Sequence, residues 1–279
     1  MFNAMKFNKL IINLILFSCF SSVSAQKQNV QLVGHRGSDI GIENTLDAFR
    51  QGVKRGYKFL ETDIRVTSDG HFVCSHDADL KEWGHAGTVV EKTNLATLQA
   101  LELTQTRWGI EYKGKITTLE EYIMYCDSAN VTPVVELKRT TGINEEDVSN
   151  LPKLLSVIQK KYDLTKCMFI SFMPIVVQWL RENEQQFLQD TTQHLNLQFL
   201  CFENMAEKTI LDSNLNTIEW CKKYKMDVDV RKGFDKQMVE RCHQAGLKVN
   251  CWTIDDTTTF DQVVDFGVDM VTTNKIAKQ

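Results

Sequence analysis

The sequence predicts an α/β fold, a single TIM-like (β/α)8 barrel with a small hairpin inserted after its second strand. Three observations predict it. Short β-branched runs alternate with amphipathic stretches along the whole chain. Eight such runs remain once the hairpin return is set aside, and no Gly/Pro-rich linker divides them. The 279 residues, less a leader, also suit one barrel, which typically takes about 250. A doubly wound open sheet uses the same alternation, but the count of eight favours closure.

Residues 1–25 read as a signal peptide and 26–279 as the barrel domain. Lys6 and Lys9 precede the apolar run Leu10–Phe20, and Val23-Ser24-Ala25 offers a small-residue cleavage site. The apolar run is shorter than the ~20 residues of a membrane span, so no transmembrane segment is expected. Cys19, after Leu16-Phe17-Ser18, is a second-choice lipoprotein signal, for which Phe17 is bulky. Both readings export the chain, to the periplasm or the extracellular space. The net charge of −4 becomes −6 without Lys6 and Lys9. No basic stretch stands out, so nucleic acid is not an expected partner. Seven of the eight cysteines follow the leader, with no zinc-site spacing. They read as buried small hydrophobes, with room for one chance disulfide.

Val30–His35 is the first strand. Asn44–Arg55 follows as a helix, with Leu46, Phe49 and Val53 on one face. Phe59–Val66 is the second strand, Thr67-Ser68-Asp69-Gly70 a turn, and His71–Ser75 its short return. Asp77–Lys115 is expected to run over the barrel mouth. Thr118-Leu119-Glu120-Glu121 is a capping box that opens a helix to about Ala129. Strands follow at Pro133–Lys138, Cys167–Phe172, Leu197–Phe202, Met226–Val230, Leu247–Thr253 and Asp269–Thr273. Helical patterns such as Pro174–Glu184 and Asp235–Ala245 lie between them, the second stopped by Gly246.

In a barrel of this kind the C-terminal strand ends converge on one pocket, so polar residues closing apolar strands are the candidates for chemistry. The first strand ends in Gly34-His35-Arg36-Gly37, where the guanidinium fork fits phosphate oxygens and the glycines would let an anion approach the backbone. Glu61 and Asp63 alternate onto one face of the second strand, with Cα atoms ~7 Å apart. Two carboxylates on a buried face are costly unless a cation sits between them, and oxygen ligands favour Mg²⁺ or Ca²⁺. The hairpin return ends in Ser75-His76-Asp77, beside the second strand. Glu136 and Lys138 share one face of the third barrel strand.

Taken together, His35-Arg36-Gly37, Glu43-Asn44-Thr45 with Ala48-Phe49, Glu61-Thr62-Asp63 with Thr67 and Asp69-Gly70, and His76-Asp77 resemble the signature of the glycerophosphodiester phosphodiesterase family. Glu136-Leu137-Lys138, Ser171-Phe172 and Val249-Asn250-Cys251-Trp252-Thr253 match its later marks. The chain departs from the pattern at Ile42, where proline is common, and at Thr273-Asn274, where Thr-Asp is common. Leu80–Lys115 matches only loosely.

The resemblance implies hydrolysis of a small-molecule phosphodiester with one divalent cation, Mg²⁺ or Ca²⁺, held by Glu61, Asp63 and Glu136. It makes His35 and His76 the acid/base pair, and an imidazole pKa of ~6.5 suits that work. Arg36 and Lys138 are then the phosphate-binding cations, Glu43 orients Arg36 or His35, and Trp252 packs on the organic part of the substrate. His71, His85, His194, His243, Asp227 and Asp229 are left structural. Three rivals share parts of this pattern: a phospholipase D-like enzyme acting on lysophospholipids or sphingomyelin, a barrel glycosidase with paired carboxylates, and an inactive envelope binding protein. No long amphipathic segment suits a membrane surface, which favours water-soluble substrates.

Overall fold

The computed structural model describes residues 30–138, 148–202, 210 and 213–277. Residues 1–25, expected from the sequence as a leader, and Cys19 among them, lie outside the described residues. In chain order the strands are β1 (Gln31–Gly34), β2 (Phe59–Val66), β3 (Phe72–Cys74), β4 (Leu103–Arg107), β5 (Ile110–Gly114), β6 (Thr132–Leu137), β7 (Met168–Ser171), β8 (Asn196–Cys201), β9 (Asp227–Arg231), β10 (Val249–Trp252) and β11 (Met270–Thr273). The α-helices are α1 (Leu46–Lys54), α2 (Leu95–Ala100), α3 (Leu119–Ser128), α4 (Leu151–Gln159), α5 (Pro174–Asn183), α6 (Thr217–Lys223), α7 (Lys236–Gln244) and α8 (Thr257–Phe266).

Eight parallel strands form a closed barrel, in the order β1-β11-β10-β9-β8-β7-β6-β2, with β1 and β2 pairing to complete the ring. The expected hairpin is present. β3 runs antiparallel to β2, Ile64 opposite Cys74, and the turn between them closes on a Gly70 N–H bond to the Thr67 carbonyl. Gly70 has φ +77°, a conformation costly for a residue with a Cβ.

Alternation along the strands sorts side chains between two cores. Val33, Val134, Ile170, Leu200 and Met270 fill the barrel interior. Phe49, Tyr122, Phe169, Phe199 and Trp220 are fully buried in the larger layer outside the ring. Each such burial contributes about 1.5–3 kcal/mol. Helix α3 opens with the expected capping box between Thr118 and Glu121. Its Tyr122 hydroxyl donates to the Leu60 carbonyl at 2.6 Å and accepts the Val134 N–H at 3.0 Å, tying β2 to β6. The seven cysteines after residue 25 are all buried and free, so the chance disulfide does not form.

Two expectations are corrected. The segment 77–115 is more than a connection: it holds α2, the β4–β5 hairpin and a small core of its own, built on residues such as Leu80, Trp83, Val90, Leu98 and Leu103. The hairpin escapes pattern reading because β4 is largely polar and its turn is Trp108-Gly109, both at positive φ. Two-residue turns of that geometry usually announce themselves as Asn-Gly. The first helix also starts later than expected, at Leu46 after the N-cap Thr45. Asn44 lies outside it at φ +60°.

Candidate active site

The site is assembled on β2. Glu61 and Asp63 point into the barrel mouth, and parallel pairing sets Asp63 directly beside Glu136 on β6. The result is a buried cluster in which ligand oxygens of Glu61, Asp63 and Glu136 lie within 4.8 Å of one another. Lys138, one residue past β6, reaches Glu136 at 2.7 Å and Asp63 at 3.3 Å.

The loop after β1 supplies the next layer. Arg36 takes a left-handed φ of +49°, which turns its N–H onto Glu61 Oε2 at 2.7 Å. Its guanidinium lies 3.4 Å from Asp63 and 3.0 Å from Glu43. Glu43 therefore orients Arg36, and its own N–H is held by Gln105 of β4. The flanking glycines are required by packing. A Cβ on Gly34 would meet the Gly37 carbonyl at 2.4 Å, and one on Gly37 would meet α1 backbone at 2.6 Å.

Asn44 stands in a motif that the sequence singled out, but its role was missed. Its Nδ2 donates to Asp63 Oδ2 at 2.8 Å, while its Oδ1 accepts the Thr62 hydroxyl and the Asp63 N–H. Only the left-handed turn before α1 allows this, and a helical assignment hides it.

The two imidazoles have different partners. His35 Nδ1 lies 3.1 Å from Asn274 Oδ1. His76 Nδ1 lies 2.8 Å from Asp77, and its carbonyl is gripped by Arg65, which also pairs with buried Glu91 at 2.7 Å. The Ser75 N–H bonds to the Asp63 carbonyl at 2.9 Å, which sets His76 next to the acids. Trp252 stands apart from them. It belongs to an aromatic wall with Phe172 and Phe202, at centroid distances of 5.4 and 6.1 Å, and its indole N–H bonds to the Asp229 carbonyl. Asp229 itself is buried inside the barrel near Gln198 and Asn250, and burial pushes its carboxyl well above the usual range.

Charge follows position. Burial, then the Asp63 and Glu136 charges, push the Glu61 carboxyl well above the usual carboxylate range. Burial and Asp63 push Glu136 up to about 7, against the pull of Lys138. Burial works upward on Asp63 too, but Lys138 and Arg36 outweigh it and hold Asp63 far below its ordinary value. Burial and the Arg36 charge bring His35 down to about 3; burial also lowers His76. Two acids that resist ionisation, and a Glu61 Oε1 buried without a hydrogen-bond partner, fit a hard divalent cation. This oxygen-only donor set could hold one.

A barrel that brings acids, imidazoles, a guanidinium and an ammonium to its C-terminal mouth has the outline of a hydrolase that handles phosphate esters. The chain belongs to the glycerophosphoryl diester phosphodiesterase family, whose model matches residues 35–278, and it is a phosphoric diester hydrolase. It is 23% identical over 253 residues to a glycerophosphodiester phosphodiesterase of Caldanaerobacter subterraneus, covering 87% of this chain and 93% of that one. It is 31% identical over 140 residues to a human lysophospholipase D, covering 47% and 41% of the two chains. Its fold matches that of an Oleispira antarctica phosphodiesterase, solved in complex with the product sn-glycerol-3-phosphate. That match has a TM-score of 0.71 at 23% identity, over 88% of this chain and 92% of the other. Family membership removes the glycosidase and the inactive binding protein from consideration.

Proposed function

We propose that the chain hydrolyses glycerophosphodiesters to an alcohol and glycerol 3-phosphate, with one divalent cation, Mg²⁺ or Ca²⁺, at Glu61, Asp63 and Glu136. The observation that carries this reading is the three-acid cluster within 4.8 Å, flanked by two cations and two imidazoles. The product named for the Oleispira antarctica relative supports the choice of products. When bound, the cation would polarise a non-bridging phosphate oxygen.

The chain's own groups do the rest. Arg36 and Lys138 stand where negative charge grows on the phosphoryl oxygens, and their burial strengthens that attraction. Glu43 keeps the Arg36 fork aimed, and Asn44 fixes the Asp63 carboxylate. His35 and His76 carry the protons to and from the reacting oxygens. Attack by water and attack by a neighbouring substrate hydroxyl would use the same pair. Trp252 and its aromatic neighbours offer a surface for the organic part of the diester. Residues 1–25 support export as a cleaved leader, and among the described residues no helix is long and apolar enough to cross a membrane.

The human lysophospholipase D likeness and the aromatic wall favour one second reading, hydrolysis of lysophospholipids. A substrate panel separates the two. Glycerophosphocholine and its ethanolamine, inositol and glycerol counterparts should each yield glycerol 3-phosphate, faster than any lysophospholipid reacts. Turnover confined to lysophospholipids would replace the first reading with the second.

A further inference from the structure

Asn274 follows β11 beside His35, and its amide has one workable orientation. Its Nδ2 lies 2.8 Å from Asp255 Oδ2. The same carboxylate accepts the Asn274 backbone N–H at 2.7 Å and the Thr273 hydroxyl at 3.2 Å. A carboxylate serving as acceptor for these groups requires the NH₂ end of the amide on its side. The amide oxygen therefore faces His35 Nδ1 at 3.1 Å. An amide oxygen only accepts, so Nδ1 must carry a proton. The Asn274 backbone is fixed as well, because its carbonyl accepts the Asp39 N–H and the Arg55 guanidinium, both at 3.1 Å.

We propose that Asp255 and Asn274 are positioning residues that lock His35 in its Nδ1–H tautomer, leaving Nε2 as the nitrogen that takes up a proton during turnover. What that proton transfer serves rests on the phosphodiesterase reading; the tautomer itself does not.

The lock makes the two histidines unequal. His76 is held at Nδ1 by the Asp77 carboxylate, a partner that stabilises an imidazolium. His35 is held by a neutral amide, which offers no charge to match. A neutral His35 so locked presents a bare Nε2 and acts as the base: as the attacking oxygen bonds to phosphorus, its proton passes to His35 Nε2. As the bond to the departing alcohol breaks, the electron pair stays on that oxygen, which takes a proton from His76 or from solvent, and the proton on His35 is released to solvent.

The test is ¹⁵N NMR of histidine-labelled full chain at neutral pH, with His35→Gln supplying the assignment. His35 should show a protonated Nδ1 and an unprotonated Nε2. Asp255→Asn frees the Asn274 amide to turn, so the Nε2–H tautomer should appear. In that variant kcat should fall about ten- to a hundredfold, the usual cost of losing a supporting hydrogen bond, with KM within about twofold, and Asp255→Glu should recover part of it. A neutral His35 carrying its proton on Nε2 in the unmodified chain, or an Asp255→Asn spectrum identical to it, would overturn the proposal. Should Asp255→Asn fail to fold, the spectrum of the unmodified chain still decides. The expected spectrum in a chain inactive on every diester would sink the functional reading and leave the lock standing. The wrong tautomer in an active enzyme would do the reverse.

Discussion

Cation binding at the acid cluster should be strongly pH-dependent, and the structure gives the direction: tighter as pH rises. Glu136 is pushed up to about 7 by burial and Asp63, and Glu61 is pushed well above its usual range. A bound cation needs both ionised, so it must displace whatever protons they hold. Between pH 6 and pH 8 the ionised fraction of Glu136 rises from about a tenth to about nine-tenths. That change alone gives binding tighter by roughly tenfold. Displacement of the Glu61 proton adds further pH dependence of the same sign. Asp63 adds nothing, because Lys138 and Arg36 keep it ionised throughout this window. Calorimetric titration of the chelated chain with Mg²⁺, in two buffers of different ionisation enthalpy, reads both affinity and protons released. Tenfold or greater weakening at pH 6, with net proton release, is expected. Equal affinity at both values, without proton release, would refute the reasoning about the buried acids.

Three further outcomes follow from named contacts. Asn44→Ala strips Asp63 Oδ2 and the Thr62 hydroxyl of buried partners; it should cost about 2–3 kcal/mol in urea unfolding and reduce turnover as well. Arg65→Met leaves the Glu91 carboxylate and the His76 carbonyl buried without their donor. Urea unfolding should show a loss of about 3–5 kcal/mol, and a loss under 1 kcal/mol would mean that the pair is not a buried anchor. Glu43→Gln weakens the charged contact that aims Arg36. It should raise KM for a diester about tenfold, near the worth of one charge-assisted hydrogen bond, with stability nearly unchanged.

Much of this architecture is legible along the chain. Apolar flanks around Glu61 and Asp63 mark β2 as buried on both faces, which makes its two inward acids conspicuous. The alternation of runs gives the barrel, since each strand and helix is a local pattern. What pattern cannot supply is register. Asp63 meets Glu136 because β2 and β6 pair at one particular offset, set by closure of the whole ring. Asn44 was hidden by a helical pattern that begins two residues too early, and its left-handed backbone is a tertiary compromise. The β4–β5 hairpin was hidden by polar strands and an unusual turn. The Thr273-Asn274 departure was visible, but its meaning depended on Asp255, which reaches it only through the packing of the loop after β10. The packing demand on the glycines around His35 and Arg36 was not legible, because the close contact of Gly37 with α1 and of Gly34 with the Gly37 carbonyl leaves no trace in a one-dimensional pattern.

One cation-dependent site at the barrel mouth should cleave a phosphodiester, and ³¹P NMR of glycerophosphocholine in the presence of the purified chain and Mg²⁺, before and after adding EDTA, would show it. The diester resonance should give way to that of glycerol 3-phosphate, and EDTA should stop the conversion. Undiminished conversion in EDTA, or a diester signal unchanged with either Mg²⁺ or Ca²⁺ present, would contradict it.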